Sequence, residues 1–572
     1  MMMKQNKHDK SECKQVRMIL SVFGILFAMI AGTYLYFYQF EKNVQEYLDI
    51  AVSNGEVTEV SYVQIMDDST QKVNIVWQSN SNEEGKYLFL PSFAECDDVK
   101  VRLYAEDNGV LEATLRKKDE ETSIHIQTEQ EGVLWENLGT GDFVIDVNET
   151  KTEFAIYKSA NMPSIWLDVE HAEGLKYIEA DKEHVSAANV TVLTADGQTD
   201  YSGRVEQFKG HGNSTWDNAK RSYKMYLQQK NSLLGMGKCK KWVLISNVLD
   251  DSMMRNKLFT DMAKSCGLEH TMDNTWVDLY IDGEYRGLYL LSEKIDINSE
   301  NFDIGDLEKE TKELNEEEMD SFDVYQMENG EFRVQGWNVP KEPSNNTGGY
   351  LIELDYYKRY RGEPSKFHTL SDQYVVVKSP EYATVNQIGY IAGFVQGFEN
   401  AIFSGDGKND NGVHYTQYID VESFAKKYVL DEISKNIDSG YSSSYFYKPK
   451  DDMKMYAGPI WDYDMALGNN RTWGEAEQLE DPNGFYVNNH GWSQALYAQP
   501  EFYEQALYEY GKYFEPYLRK ADRIIAGYEK EIEAAADMNN VMWSKPDWRN
   551  DVEEMEQFLE QRRLFLNSEW KK

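Results

Sequence analysis

Residues 458–464 read Gly-Pro-Ile-Trp-Asp-Tyr-Asp, an apolar segment that ends in the two carboxylates Asp462 and Asp464. The apolar residues predict a strand over 457–461, and side chains two residues apart point to one face of an extended chain. Paired hard oxygens suit Mg²⁺ or Mn²⁺, which also hold nucleotide phosphates. The sequence therefore predicts a cation site at these two residues. The alternative is that Arg471 or a lysine neutralises the pair.

A second segment whose residues could bind a ligand lies at residues 208–216, Phe-Lys-Gly-His-Gly-Asn-Ser-Thr-Trp. A turn punctuated by Gly210 and Gly212, and followed by Asn213, leaves backbone N–H groups free to bind phosphate. Lys224, on the next predicted strand, could reach the same phosphate oxygens. The alternative is an ordinary turn with a solvated Lys224, because glycine is the commonest source of positive φ.

The third segment centres on Asp438, which follows a helix predicted over 421–437 and precedes the small-residue run Ser-Gly-Tyr-Ser-Ser-Ser. A carboxylate on a loop after a helix suits the task of accepting a proton from a substrate hydroxyl. Its position at a helix C-terminus opposes the macrodipole, a mild cost that function would justify. A glycine loop, a strand lysine, an Asp loop and a strand-end Asp follow here in the order of phosphoryl-transfer machinery.

With these segments the sequence resembles the CotH kinase family, named for spore coat protein H, over about residues 163–510. The resemblance implies an atypical protein-kinase-like fold that takes ATP and a divalent cation and phosphorylates serine on protein substrates. The founding substrates of that family are coat proteins. The resemblance rests on motifs in the same order, at residues 210–216, 221–224, 241–244, 254–258, 283–287, 293–295, 348–351, 436–438 and 458–464.

The resemblance also implies roles for single residues. Asp438 matches the family's proposed catalytic Asp, and Asp462 its metal-binding Asp. Lys224 falls where the phosphate-contacting lysine is expected. Asp464 and Asn469 fall in the same motif as Asp462 and take a supporting role.

The sequence departs from related enzymes at three places. No His-Arg precedes Asp438, Ser443 stands where conventional kinases keep a metal-binding Asn, and His211 replaces the family's usual Arg. The alternative function is therefore a catalytically silent, membrane-anchored surface module that binds cell-wall polymer or coat proteins. Retention of Lys224, Asp438 and Asp462 favours an enzyme that transfers the ATP γ-phosphate to serine or threonine of a serine-rich coat or surface protein.

The composition of the chain limits the classes of ligand that we expect it to bind. The 572 residues include 59 basic and 98 acidic side chains, 59 − 98 = −39, which argues against nucleic acid as a ligand and disfavours anionic membrane surfaces. The four cysteines, Cys13, Cys96, Cys239 and Cys266, have neither disulfide-framework nor zinc-site spacing. We expect them to be small buried side chains.

The start of the chain predicts a membrane anchor. A basic tail over 1–17 precedes the uncharged run 18–38, which is long enough to span a bilayer. The basic flank places the tail in the cytoplasm and the large remainder outside. A cleaved signal peptide is the alternative. We expect a single-pass protein whose large domain is extracytoplasmic.

The predicted fold class is α+β. Short alternating strands over 57–160 predict a β-sandwich accessory domain. A two-lobed kinase-like domain over 163–510 is expected from the resemblance, with an acidic insertion, solvated or forming a short helix, over 298–346. Residues 511–572 are predicted to be helical. Further predicted elements are strands at 73–77, 99–104, 132–134, 153–157, 222–227, 242–246, 351–354 and 445–448, helices at 251–266 and 386–402, and a hairpin over 275–291.

Overall fold

The computed structural model describes residues 44–66, 71–105, 111–128, 131–298, 300–329, 332–470, 476–489 and 491–571. The described chain is a mixed α+β structure, which confirms the predicted class. It divides into two compact units, one of residues up to 76 together with 95–153, the other of 77–94 and 154–572. The predicted tail 1–17 and anchor 18–38 lie outside the described residues. Within them, no helix combines the length and apolar character that crossing a bilayer requires.

The first part of the described chain forms strands, which are β1 (Gln45–Ser53), β2 (Glu56–Met66), β3 (Gln71–Val76), β4 (Tyr87–Leu90), β5 (Asp98–Ala105), β6 (Glu112–Lys117), β7 (Ser123–Gln127), β8 (Val133–Glu136), β9 (Gly141–Val147) and β10 (Thr150–Lys158). In the first unit, one sheet has the order β3-β2-β1-β5-β8, and β6 pairs with both β7 and β9. Alternate residues of β1, Leu48, Ile50 and Val52, are buried, as a half-buried strand requires. This β-rich unit fits the predicted sandwich.

A closed barrel positions one wall of the site in the second unit. The strands of the barrel and the two helices between them are β11 (Ser164–Val169), α1 (Leu175–Ala180), β12 (Val185–Leu193), β13 (Thr199–His211), β14 (Ser222–Asn231), β15 (Cys239–Ile245), α2 (Arg255–Ser265), β16 (Asn274–Ile281) and β17 (Glu284–Glu293). The strand order is β11-β12-β13-β14-β15-β17-β16, and a parallel pairing of β11 with β16 closes the barrel. Inward side chains such as Phe208, Tyr223 and Trp242 fill the barrel, which is therefore a packed core. The predicted 275–291 hairpin is β16 with β17.

The opposite wall belongs to a sheet of order β18-β19-β21-β22-β20-β23-β24 and the helices packed with it. These elements are α3 (Leu307–Leu314), β18 (Val324–Asn329), β19 (Phe332–Trp337), β20 (Tyr350–Leu354), α4 (Tyr357–Tyr360), β21 (Lys366–His368), β22 (Tyr374–Ser379), α5 (Val385–Ile402), α6 (Val421–Ser434), β23 (Ser444–Lys448), β24 (Tyr456–Ala457), α7 (Ala476–Glu480), α8 (Gly491–Tyr497), α9 (Pro500–Glu509), a π-helical turn (Tyr510–Phe514), α10 (Glu515–Leu518), α11 (Ala521–Trp543) and α12 (Trp548–Trp570). The tail is helical, as predicted, and α11 and α12 contribute to the same apolar core as α6.

Three predictions from local pattern need correction. The strand expected over 457–461 pairs only at Tyr456–Ala457, because Gly458 adopts a φ of 123° and Pro459 has no N–H to donate to a ladder. The helix expected over 421–437 ends at Ser434, and Lys435 caps it with a left-handed φ of 45°. The acidic stretch 298–346 contains the short helix α3 but also β18 and β19, two strands of the main sheet.

Candidate functional site

A cleft of about 2150 Å³ lies between the barrel and the seven-stranded sheet. Side chains of a strand point alternately to its two faces, which explains why Lys224 lies on the barrel wall of the cleft. Tyr223 and Met225 of β14 point into the barrel core, so Lys224 between them points outward into the cleft. Lys294, directly after β17, lines the same wall, as does Lys182. The predicted strand lysine therefore lies in the cleft together with two lysines that sequence reasoning did not single out.

These three lysines have no carboxylate within ion-pair distance among the described residues. Within the part of the chain that the structure describes, none of them forms an ion pair, and Lys182 donates instead to Asn213 Oδ1 at 2.8 Å. Burial and, after it, the neighbouring lysines, Lys294 first, together lower the pKa of Lys224 to about 7. Burial, followed by Lys241, lowers the pKa of Lys294 to about 8. Half-buried lysines that form no ion pair among the described residues, in a chain of net charge −39, indicate a site for an anion.

The glycine segment borders these lysines. Gly212, with a φ of 90°, and Asn213 line the cleft, whereas Gly210 lies in β13, where a Cβ atom would come within 2.5 Å of the Trp216 ring. Gly210 is therefore needed for packing beneath the cleft. His211 also lines the cleft; burial, followed by Lys224, lowers its pKa well below the ordinary value, so the ring is neutral at pH 7.

Asp438 lies on the opposite wall, in the turn between α6 and β23. Its backbone oxygen accepts from Tyr441 N at 3.0 Å and Ser442 N at 2.9 Å, which fixes the turn. Burial and, after it, the Asp462 carboxylate raise the pKa of the Asp438 carboxyl to about 7, against the opposing effect of the Arg359 guanidinium. The carboxyl is thus close to half ionised at neutral pH and able to exchange a proton there.

Asp462 has a left-handed backbone, φ 69°, which is costly for a residue other than glycine. Two side chains hold it: Asn436 Nδ2 donates to Asp462 O at 2.7 Å, and Tyr463 N donates to Asn256 Oδ1 at 2.8 Å. Ser443 Oγ, at the position of the conventional kinase Asn, donates to Asp462 Oδ2 at 3.2 Å. The strained backbone aims Asp462 into the cleft although the predicted strand is absent.

Asp464 also lines the cleft and is buried. Its pKa is raised well above the usual range by burial and then by the carboxylates of Asp462, Asp250 and Asp438. Asn469 does not line the cleft; its Nδ2 donates to Asp464 O at 2.7 Å and so holds the Asp464 backbone. Among the described residues, no group of three or more His, Cys, Asp or Glu side chains is arranged to hold a metal ion.

Sequence reasoning missed further charged residues of the cleft. Arg359 of α4 donates from Nη1 to Ser442 Oγ at 3.2 Å and lies 3.8 Å from Asp355 Oδ1. Lys378 Nζ lies 3.5 Å from Glu353 Oε2, and burial raises the pKa of Glu353 to about 7. A signal for Arg359 was the basic run Lys-Arg-Tyr-Arg at 358–361, directly after an apolar strand.

Lysines that form no ion pair with any described residue thus face carboxylates across one cleft, an arrangement typical of proteins that bind a phosphorylated ligand with a divalent cation. The family model described as "CotH kinase protein" matches residues 208–566, more than half of the chain, and the chain belongs to this family. No curated protein matches it. The resemblance drawn from the sequence is confirmed, while the roles of Lys224, Asp438 and Asp462 stay predictions.

Proposed function

We propose that this protein is a CotH-type atypical protein kinase that transfers the γ-phosphoryl group of ATP to serine, or threonine, of a coat or surface protein. The observation that carries the proposal is the meeting, in one cleft, of the unpaired Lys224 with Asp438 and Asp462. Phosphoryl transfer needs positively charged side chains that bind the phosphates, a carboxylate that binds the divalent metal ion, and a second carboxylate placed beside the acceptor hydroxyl, all in one cleft. Family membership supports the proposal independently.

The carboxylates fit a divalent cation. Asp462 and Asp464 are hard oxygen donors; the Asp462 carboxylate adds to the effect of burial in raising the pKa of Asp464, whereas Arg359 opposes the rise that burial causes in the pKa of Asp462. Mg²⁺ is usually held by one or two protein carboxylates and completes its shell with phosphate oxygens and water, so a full protein cage is not required. Asp462, supported by Asp464, would hold Mg²⁺ or Mn²⁺. Such an ion, when bound, neutralises phosphate charge.

The barrel wall would bind the phosphates. Lys224 and Lys294 would donate to phosphate oxygens as point charges, and the Gly212 turn lies beside them. Arg359 is the cation on the facing wall: it lowers the pKa of both Asp438 and Asp462, so its charge acts where those two residues meet. There it would oppose the negative charge of the phosphoryl group in transfer.

Asp438 would act on the acceptor. The serine oxygen forms a bond to the γ-phosphorus, the bond from that phosphorus to the bridging oxygen of ADP breaks, and the serine proton passes to an Asp438 carboxylate oxygen. A pKa of about 7 suits this exchange. The turn bonds to Tyr441 and Ser442 keep the carboxylate in place during it.

The setting of the enzyme is part of the proposal. We infer a single-pass anchor at residues 18–38 with the kinase domain outside the cytoplasm, and a serine-rich coat or surface protein as substrate. Protease added to intact cells should then digest the chain after residue 49. Protection until the membrane is lysed would reverse the orientation.

The deciding experiment separates the two aspartates. Asp462→Asn should lose metal-dependent binding of ATP, measured by calorimetry with Mg²⁺ and with Mn²⁺. Asp438→Asn should still bind ATP and metal while phosphotransfer to a serine-rich protein falls by about 10²-fold or more, the usual contribution of a positioned base. Asp522→Asn, exposed on α11, is the matched control.

If both variants bind ATP and metal like the wild type and neither changes phosphotransfer, the carboxylates are structural. The silent surface module would then replace the kinase. Binding of ATP that survives without any phosphotransfer in the wild type would also favour that module, since the cleft would serve recognition alone.

A further inference from the structure

The carboxylates of Asp438 and Asp462 come from two separate segments, so the site needs a contact that fixes one relative to the other. Asp438 lies in the turn after α6, whereas Asp462 lies in the irregular segment after β24. The Asp462 carboxylate contributes to the raised pKa of Asp438, which shows that the two groups interact. A metal ligand and a proton acceptor that serve one reaction must be held to within about 0.5 Å of their working geometry.

Asn436 is bonded to both segments. Its side-chain Nδ2 donates to Asp462 O at 2.7 Å, and its Oδ1 accepts from Asp438 N at 3.4 Å. A carboxamide has a donor and an acceptor on one planar group, whereas a carboxylate has no donor and an apolar side chain has neither. Asparagine therefore suits this position, since one rigid group makes both bonds.

The peptide group between Asp462 and Tyr463 is held at both of its ends. Its carbonyl oxygen accepts from Asn436, and its N–H donates to Asn256 Oδ1 at 2.8 Å. The orientation of this peptide group sets ψ of Asp462, whose φ of 69° lies in the left-handed region that is costly for a residue other than glycine. Two asparagines from different elements thus hold Asp462 in a conformation that its own backbone does not favour.

Asn436 supports the site without reaching a ligand, because it is 2% exposed and does not line the cleft. Its backbone N donates to Ser434 Oγ at 3.0 Å, and its backbone O accepts from Ser439 N at 3.0 Å. The two backbone groups and the two side-chain groups of Asn436 are therefore all engaged. The same two segments are joined once more where Leu467 N donates to Ser434 O at 2.8 Å.

We propose that Asn436 is a positioning residue that sets the separation of the Asp438 and Asp462 carboxylates, and that Asn256 assists it by holding the peptide group after Asp462. The inference rests on the proposed function, in which both carboxylates serve one transfer. Without the Asn436 side chain, that peptide group is held at one end only and the Asp438 turn loses one of its bonds. Binding of metal with ATP and the transfer step should then both suffer.

The test compares two buried asparagines of the same unit in the full-length protein. Asn436→Ala removes the bonds that link the two site segments. The control, Asn539→Ala, removes an acceptor of bonds from Lys220 Nζ at 2.8 Å and Leu288 N at 3.3 Å, and none of these three residues lines the cleft. Thermal unfolding measures the loss of stability in each variant, so that an effect on the site is separated from general destabilisation.

A milder variant covers the case in which Asn436→Ala does not fold. In Asn436→Ser the hydroxyl can still accept from Asp438 N, as serine does in turns, but it is too short to reach Asp462 O. Calorimetry with Mn²⁺ and ATP should show binding weakened about tenfold or more in both Asn436 variants, the usual effect of losing a residue that orients a metal ligand. The control should bind like the wild type.

A double-mutant cycle on phosphotransfer to a serine-rich protein distinguishes positioning from a general structural role. A positioning residue acts through the group that it positions. Asn436→Ala should therefore slow the reaction less in the Asp438→Asn background than in the wild type. Equal slowing in the two backgrounds would overturn the inference.

A third readout needs neither ATP nor phosphotransfer. Amide hydrogen exchange, followed by mass spectrometry on a peptide that contains Tyr463, should be about tenfold faster in Asn436→Ala, because the Tyr463 N–H opens more often once its peptide group is held at one end. Exchange in the Asn539→Ala control should match the wild type. Unchanged exchange in the Asn436 variants, or an equal change in the control, would overturn the inference whether or not the wild type transfers phosphate. Faster exchange confined to the Asn436 variants, in a wild type without phosphotransfer, would keep Asn436 as the residue that positions the two carboxylates and reject only the kinase assignment.

Discussion

Two cations of the same unit, the buried Arg255 and the half-buried Lys224, differ in their charged neighbours. Arg255 of α2, 1% exposed, pairs with Asp250 at 2.5 Å and Asp551 at 2.6 Å, and its Nε donates to Ala466 O at 2.9 Å. Lys224 of β14 has lysines as its charged neighbours. The charge of Arg255 is neutralised within the fold, whereas the charge of Lys224 stays available to a ligand.

Paired charges also build the frame around the site. Arg562 of α12 and Glu432 of α6 are both fully buried and lie 2.7 Å apart. Glu432 also accepts from the backbone N–H groups of Tyr486 and Val487. This cluster fixes the end of α6, from which the Asp438 turn leaves. The C-terminal helix α12 thus supports the Asp438 turn, which is distant from it in sequence.

The comparison predicts that removing a buried, paired cation causes the largest loss of stability. Arg255→Met leaves Asp250 and Asp551 buried without their partner and should lower the free energy of unfolding by about 3–5 kcal/mol. Urea unfolding followed by circular dichroism measures it. Lys257→Met, which removes a partly exposed pair with Asp261 one turn away, should cost less than about 1 kcal/mol. A loss at Arg255 as small as that at Lys257 would show that the buried cluster contributes little.

Local sequence pattern predicted much of the scaffold. Alternation of apolar residues indicated β14, β15 and the β16–β17 hairpin, and helical spacing indicated α2 and α5. The pattern failed at residues 457–461, where Pro459 overrides an apolar run that otherwise reads as a strand. The barrel was not predicted, because its closure depends on the parallel pairing of β11 with β16, more than 100 residues apart, and no local periodicity encodes that pairing.

In the candidate site, too, residue types were predictable from the sequence, whereas contacts between distant residues were not. Lys224, Asp438 and Asp462 were singled out because their residue types and order suit phosphoryl transfer, and they line one cleft. Arg359 was missed because its link to the Asp438 turn spans 83 residues and depends on Ser442. That no carboxylate among the described residues forms an ion pair with Lys224 is likewise a tertiary fact, which composition alone does not reveal.

The next largest effect concerns the unpaired cation. Lys224→Met should weaken ATP binding about tenfold or more, since it removes a charge-assisted hydrogen bond to phosphate. The same change should raise the melting temperature of the unliganded protein by a few degrees, because it removes a half-buried charge that no ion pair with a described residue compensates. Calorimetry and thermal unfolding test the two parts. Lys530→Met, exposed on α11, should change neither.

The stability gain should depend on pH in a defined direction. Burial lowers the pKa of Lys224 from 10.5 to about 7, so the folded protein binds this proton less tightly than the unfolded chain. The cost of the charge is complete below about pH 7 and disappears as the pH rises toward 10.5. Lys224→Met should therefore gain most at pH 6 and least at pH 10. A melting temperature below that of the wild type at pH 6 would mean that Lys224 has a partner after all.

The smallest effect is the pH dependence of ligand binding. Above about pH 7 the unliganded Lys224 is largely neutral and must take up a proton to bind a phosphate, so the affinity for ATP should fall as the pH rises from 7 to 9, by no more than the loss expected of Lys224→Met. Lys224→Arg keeps its charge throughout this range and should flatten the profile. Asp438 also ionises near pH 7 and repels phosphate, but it does so equally in both proteins, so the difference between the two profiles isolates Lys224. Parallel profiles would place the phosphates elsewhere in the cleft.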